Sequence, residues 1–422
     1  MEVCRMDLKH FMNFLDSSRL NMSAVENLKK ELESAGFKAI KENENWNLEG
    51  GGKYFITKNE SSIMAFRLGH DIKKGFSLVG SHSDSPCFRI KQNPTMKRAS
   101  AVCLNTEVYG GALLGTWFDR PLTVEGKVTV KGESALKPKT IHYKGKDGMI
   151  FIPSVAIHMN REANKGVEIN PQENTLPVCT MDGDFDLIKS IEKEIGAEIL
   201  SHELYVVSCE KAHVVGVNDE FLMSGRLDNL AMAYANIMSL INAKAGEMTA
   251  VAYVGDNEEI GSMTKQGAFS PFLRDTLLRI VVSMGGTYED YRIALSNSFM
   301  ISSDEAHAFH PNYQNYADPT NRPLIGKGPV IKIAANGAYT SDAVSIAVFK
   351  ELANEAGVAT QTFHNRSDKR GGSTIASITT SKIDIPIVDV GNPLWGMHSA
   401  VETGGIKDQE DMMKIMEVLL SK

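Results

Sequence analysis

Four short apolar runs, each breaking off into charged and small polar residues, constrain this chain more than any other feature. Run 76–79 leads into Gly80-Ser81-His82-Ser83-Asp84-Ser85-Pro86, and run 249–254 into Gly255-Asp256-Asn257-Glu258-Glu259. Run 299–301 leads into Ser302-Ser303-Asp304-Glu305-Ala306-His307. Run 385–390 leads into Gly391-Asn392-Pro393 and then Gly396-Met397-His398. Short runs without polar alternation are what strands look like when both faces of a sheet are covered. Helical patterns at 227–241, 342–356 and 408–420 supply the covering layers. The expected fold is therefore α/β, a sandwich with a mixed sheet, and its ligand site belongs where the strands end.

The stretch from 93 to 220 follows another pattern. Runs 122–130, 140–143, 149–152 and 204–207 are short, β-type and broken by Gly, Pro and Lys, with few long helices between them. We read it as a β-rich insertion into a discontinuous α/β domain formed by 1–92 and 221–422. A chain of 422 residues suits that division, since domains commonly take about 150 residues each. Near the start, Ser23-Ala24-Val25-Glu26 has the form of a capping box. Val25, Leu28 and Leu32 then share one helix face, with Gly36 as the stop.

Charge and composition exclude several functions. Forty-five basic against 52 acidic residues leave a net charge of −7, which argues against a nucleic-acid groove. No apolar run approaches the ~18 residues of a membrane span. The first ten residues mix Arg5, Asp7 and Lys9 with apolar ones and lack the hydrophobic segment of a signal peptide. Cys4, Cys87, Cys103, Cys179 and Cys209 form no CxxC pair, a pattern expected of reduced thiols in the cytoplasm.

The strand-end residues have a shared chemistry. His82, Asp84, Asp228, Glu258, Glu259, Asp304 and His398 each stand at the exit of a buried run or the start of a helix. Singly, each has an ordinary reading as a helix cap or a solvated residue. Together they form an N/O ligand set for first-row divalent metals, Zn above all, with Co or Mn also suited. If Asp228, Glu259 and Asp304 converge, each pair at 4 Å costs about 4 kcal/mol of repulsion at an effective dielectric of 20. Cations must offset that. Two metals sharing a carboxylate would do so, and Asp84 could fix the tautomer of a ligating His82. Of the adjacent Glu258 and Glu259, one could ligate while the other takes a proton from water.

Five motifs in this order resemble the M18 family of metallopeptidases, the aspartyl aminopeptidases. They are Gly80-Ser81-His82-Ser83-Asp84-Ser85-Pro86, Arg226-Leu227-Asp228-Asn229-Leu230, Asp256-Asn257-Glu258-Glu259-Ile260-Gly261-Ser262, the stretch from Asp304-Glu305-Ala306-His307 through His310-Pro311-Asn312-Tyr313, and Met397-His398-Ser399. The resemblance implies one metal held by His82, Asp228 and Asp304 and another by Asp228, Glu259 and His398, with Asp228 bridging and Glu258 as general base. It further implies that His307, Lys332 and Tyr339 hold the substrate. It makes the insert a dimerisation or lid domain whose His158 reaches a neighbouring subunit's site in a dimer-based, even dodecameric, homo-oligomer. Asn321 stands where some members have His, so no role carries over there.

Several readings stay open. The expected activity is removal of N-terminal residues from peptides, Asp or Glu preferred, by a metal-bridging hydroxide. Rivals are an aminopeptidase of broad or neutral preference, a related amidohydrolase, and a scaffold that has lost catalysis. Lys332, after Pro329-Val330-Ile331, is either an ordinary strand-end charge or a cation aimed into a pocket, where it would favour a carboxylate. His307 and His310 could exchange roles. His142, His202 and His364 are read as structural or surface residues, and Cys87 as a buried or neighbouring thiol. Gly371-Gly372-Ser373-Thr374 lacks the lysine of a phosphate loop and is read as a tight turn before a helix.

Overall fold

The computed structural model describes residues 6–422; Cys4, Arg5 and the rest of the first five residues lie outside them. The chain divides into two compact units. One comprises 1–84, 212–397 and 402–422, and the other 85–211 with 398–401.

The first unit is built on a nine-stranded mixed sheet. Its central strands are Thr249–Gly255, Phe76–His82, Phe299–Ser303 and Ile387–Gly391, adjacent in that order and all parallel. Val330–Lys332 then pairs antiparallel with Ile387–Gly391. The uninterrupted apolar runs have a simple cause. Side chains alternate between two separate cores, so apolar residues fall at consecutive positions, with Ser77 and Asp389 as buried polar residues among them. Val79, Ala250, Ala252, Val254, Ile301 and Val388 join a core with helices Asn21–Ser34, Leu227–Asn242, Ala343–Ala356 and Ile406–Leu420. Leu78, Val251, Tyr253, Met300 and Ile387 join the other, against Phe272–Ser283 and Tyr288–Ser296. Helices thus cover both faces, the expected sandwich. Within the same unit a five-stranded sheet includes Phe221–Ser224, Glu402–Gly405 and Pro393–Trp395.

Local differences from the expected elements have physical reasons. A first helix, Leu8–Ser17, is capped by the Asp7 side chain. The helix expected to open at Ser23 begins at Asn21, and Ser23 lies in its first turn. There its hydroxyl accepts the Leu20 N–H at 2.9 Å, so Ser23 serves as the N3 partner of the N-cap residue Leu20 and not as the N-cap itself. Gly36, just past the helix, adopts φ +82°, a conformation glycine reaches without steric cost.

The second unit carries a six-stranded antiparallel sheet whose longest strands are Leu122–Ser134, Cys87–Arg98 and Ile199–Ser208. The run at 149–152 forms only isolated bridges, Leu122 to Ile150 and Phe151 to Val178. Helix Leu187–Ile195, capped by the Asp186 side chain and ended by Gly196, also belongs to this unit. Cys87 and Cys103 are buried, and no disulfide joins the described cysteines. Among the described residues no helix is long and apolar enough to cross a membrane.

Candidate metal centre

His82 ends the strand Phe76–His82 and is 1% exposed. Its two ring nitrogens face different neighbours. Nδ1 lies 3.1 Å from the Asp84 carbonyl oxygen and 3.3 Å from Asp84 Oδ1. Nε2 lies 3.5 Å from Asp228 Oδ1 and 3.6 Å from Asp304 Oδ1. With the proton on Nδ1, a lone pair on Nε2 faces the carboxylates, which is the tautomer of a metal ligand.

Asp228 stands in the first turn of Leu227–Asn242, where the backbone departs from helical geometry at φ −80°, ψ 103°. Its N–H donates to Glu402 Oε2 at 2.9 Å, and Asn229 Nδ2 donates to the Ser303 carbonyl at 3.0 Å. Glu258 and Glu259 open a 3-10 turn behind Asn257, whose φ is +60°. Such left-handed geometry at a non-glycine residue costs roughly 1–3 kcal/mol, and surrounding contacts must hold it. Asp84 supplies some of them. Its Oδ1 accepts the Glu258 N–H at 3.0 Å, and its Oδ2 the Glu259 N–H at 3.2 Å. One carboxylate thus links the imidazole to the di-glutamate turn.

The result is an acidic pocket with few cations. Donor atoms of His82, Asp228 and Glu259 all lie within 4.8 Å of one another. Asp84, Asp228, Asp304, Glu305 and Glu402 are buried, with Glu258 and Glu259 partly exposed beside them. Lys332, 2% exposed, places Nζ 3.4 Å from Asp304 Oδ2 and donates to the Glu305 carbonyl at 3.1 Å. Burial, reinforced by neighbouring carboxylates and opposed by His82, pushes the Glu258 carboxyl up to about 8. Burial and then Asp228 raise Glu259 well above the usual range, and Glu305 likewise. For His82 burial acts downward, but hydrogen bonding to Asp228, Asp304 and Asp84 outweighs it and leaves the ring well above 6.5. So many carboxylates around one imidazole and one ammonium fit divalent cations, and the N/O donor set fits zinc.

The other expected site residues are distributed as follows. Tyr339 is buried, its ring centroid 5.2 Å from Lys332 Nζ. His307 is exposed, its ring edge-on to Phe363 at 5.8 Å. His310 packs on Tyr313 and Trp395 instead. His398 falls in the second unit, with Nδ1 3.1 Å from the Gly111 carbonyl and φ +68°. His158, also in the second unit, is exposed. Asn321 serves a turn, donating to Asp318 Oδ1 at 2.8 Å and accepting from Thr362 Oγ1 at 3.1 Å. His202 is buried in the second unit and His142 lies 3.1 Å from Glu125 there. Sequence reasoning did not single out Glu305 or Glu402. Their only signal was position: one follows Asp304, and the other lies four residues past His398.

Comparison with known proteins agrees with this chemistry. The family model described as aminopeptidase I zinc metalloprotease (M18) matches residues 14–419. A relative from Clostridium acetobutylicum, named a probable M18 family aminopeptidase 2, is 49% identical over 97% of each chain. Among solved structures, the M18 aminopeptidase of Thermotoga maritima superposes with a TM-score of 0.86 at 25% identity, over 98% of this chain and 95% of that one. A chain in the complex of Ape4 and Nbr1 gives 0.91 at 32%, over 98% and 85%. The mApe1 dodecamer of S. cerevisiae, at 24% identity and a TM-score of 0.83 over 97% and 95%, shares the fold. With a family match that spans nearly all of its length and a donor set suited to zinc, this chain belongs to the M18 zinc aminopeptidases and is a metallopeptidase, a hydrolase.

Proposed function

We propose that this aminopeptidase uses two divalent metals, prefers peptides that begin with Asp or Glu, and employs Glu258 as its general base. The observation that carries this reading is the convergence of His82, Asp228, Asp304 and Glu259, with Glu258 on the same turn as Glu259. In this reading His82, Asp228 and Asp304 hold one metal, and Asp228, Glu259 and His398 hold the other. When bound, the metals polarise the scissile carbonyl and make a water acidic enough to react near neutral pH. Glu258 takes that water's proton and returns it to the leaving amine. Asp84 holds the Glu258 and Glu259 backbone and the His82 ring in place. His307 and Tyr339 contact the substrate, and Lys332 receives its acidic side chain through a charge-assisted bond.

The segment 93–220 acts in this reading as a dimerisation domain. His158 is flanked there by exposed Val155, Ile157 and Met159, an apolar group suited to a contact between copies. In a homo-oligomer within the cytoplasm, His158 of a neighbouring copy would help hold the substrate backbone.

One observation favours a second reading. Lys332 is already paired with Asp304, so a substrate carboxylate must compete for it, and the preference could be broad. Hydrolysis of peptides differing only in their first residue, with Zn, Co or Mn added, separates the two. The first reading expects Asp and Glu to exceed Leu and Lys332→Met to erase that advantage. Equal rates across the series would leave only the broad aminopeptidase.

A further inference from the structure

We propose that Asp389 is a positioning residue for the choice of N-terminal side chain; the inference rests on the roles of Lys332 and Tyr339 proposed above. Asp389 lies on Ile387–Gly391, the strand next to Val330–Lys332, with Val390 opposite Ile331. It is 0% exposed, an expensive place for a carboxylate unless its oxygens are engaged. They are engaged by two segments that are neither helix nor strand. Oδ2 accepts the Thr340 N–H at 2.6 Å and the Thr340 hydroxyl at 2.9 Å. Oδ1 accepts the Thr374 hydroxyl at 2.5 Å. The Asp389 N–H donates to Ser341 Oγ at 2.9 Å.

Thr340 follows Tyr339, whose ring lies beside the Lys332 ammonium. Thr374 ends the Gly371-Gly372-Ser373-Thr374 stretch, which forms no turn. It stands at the N-cap position of the short helix Ile375–Thr379, its hydroxyl turned to Asp389 and not to the helix. Neither 333–342 nor 364–374 contains a ladder or helix that could set its position, up to the cap at Asp342. One buried carboxylate therefore anchors both segments to the strand beside Lys332. It keeps the Tyr339 ring at the ammonium, and its charge is also felt by Lys332 as a counter-ion beside Asp304. The glycine-rich stretch 371–374 thereby gains a role beside Lys332.

The test uses the full-length zinc-loaded protein with Asp389→Ala, Asp389→Asn, Thr340→Val and Lys332→Met. For each, kcat and KM are measured on Asp- and Leu-initiated peptides alongside metal content and melting temperature. Asp389→Ala should lower the Asp-to-Leu ratio of kcat/KM about tenfold, mainly through KM, because a charged buried acceptor is lost. Asp389→Asn keeps an acceptor for the Thr340 N–H and should stay within about threefold of wild type. Should Asp389→Ala fail to fold, Thr340→Val, which removes one hydroxyl bond, carries the test with an expected drop of about threefold. Equal losses on both peptides would overturn the proposal, as would a ratio that depends on Lys332 but not on Asp389 or Thr340. A ratio unmoved by Lys332→Met sinks the reading of Lys332 itself, and this inference with it.

Discussion

The two units solve the problem of strand burial differently, and the difference shows where chemistry can be placed. In the first, Phe76–His82, Thr249–Gly255 and Ile387–Gly391 are buried at every position. Covered on both faces, these strands admit few polar groups along their length, Ser77 and Asp389 among them, and His82, Glu258 and Glu259 collect at or just past their ends. In the second, Cys87–Arg98 and Lys137–Lys144 keep one face or whole stretches exposed. Polar residues are scattered along those strands, and no comparable acidic cluster is found there among the described residues. A doubly covered sheet concentrates function at its edge, whereas a half-covered sheet offers surface.

The sharpest way to break this comparison is to disable a strand end without touching the sheet. Glu258→Gln should cut kcat by a factor of about 10² to 10⁴, the usual worth of a general base, while metal content stays intact. Asp228→Ala should lose metal instead, as read by elemental mass spectrometry. Near-normal turnover in Glu258→Gln would transfer the base to another residue.

A second, still large effect tests whether the units cooperate through separate copies. His158→Ala and Glu258→Gln proteins, each nearly inactive, are mixed under conditions of demonstrated subunit exchange. Activity should return, because some hybrids pair an intact Glu258 with an intact His158 from another chain. No recovery would confine His158 to its own chain.

A doubly covered position of the first unit can be compared with an exposed one of the second. Leu78→Ala removes a fully buried side chain from the first unit's sheet and should cost roughly 2–5 kcal/mol in denaturant unfolding. Leu136→Ala, at an exposed turn of the second unit, should change stability by less than about 0.5 kcal/mol. Similar costs for the two would refute the contrast in covering.

The smallest effect is a pH dependence of the second unit. Burial holds the His202 pKa below its ordinary 6.5. The unfolded chain then binds the proton more readily than the folded one. Stability from this group is fully present above about pH 6.5 and declines as pH falls toward the folded pKa, by up to ~1.4 kcal/mol per unit of depression. Urea unfolding at pH 7.5 and 5.5 should show His202→Gln losing less on acidification than wild type. An identical loss in both would remove His202 as a cause.

Much of the first unit was legible because its physics is local. Strands 249–254 and 299–301 and helices 227–241 and 408–420 appear within a few residues of their expected bounds, since double burial and helical periodicity both write themselves into consecutive positions. The 149–152 run was less legible. Bridging depends on distant partners, and Leu122 and Val178 each supply it at only one residue. Helix Leu187–Ile195 was legible yet not expected: Leu187, Ile191 and Ile195 recur at the spacing of one helix face, between the Asp186 cap and the Gly196 stop.

What the sequence determined alone was the kind of fold and the inventory of reacting groups, because apolar patterning and residue chemistry are properties of the chain as written. Only the tertiary structure decided which carboxylates support the others. Asp84 turned out to grip the Glu258–Glu259 backbone, Glu402 the Asp228 N–H, and Lys332 the Asp304 carboxylate. The separations in sequence, 174 residues for the first two pairs that include Glu258 and Asp228, explain why. A hydrogen bond needs its partners about 3 Å apart, and no spacing along the chain records which strand ends the sheet will bring that close.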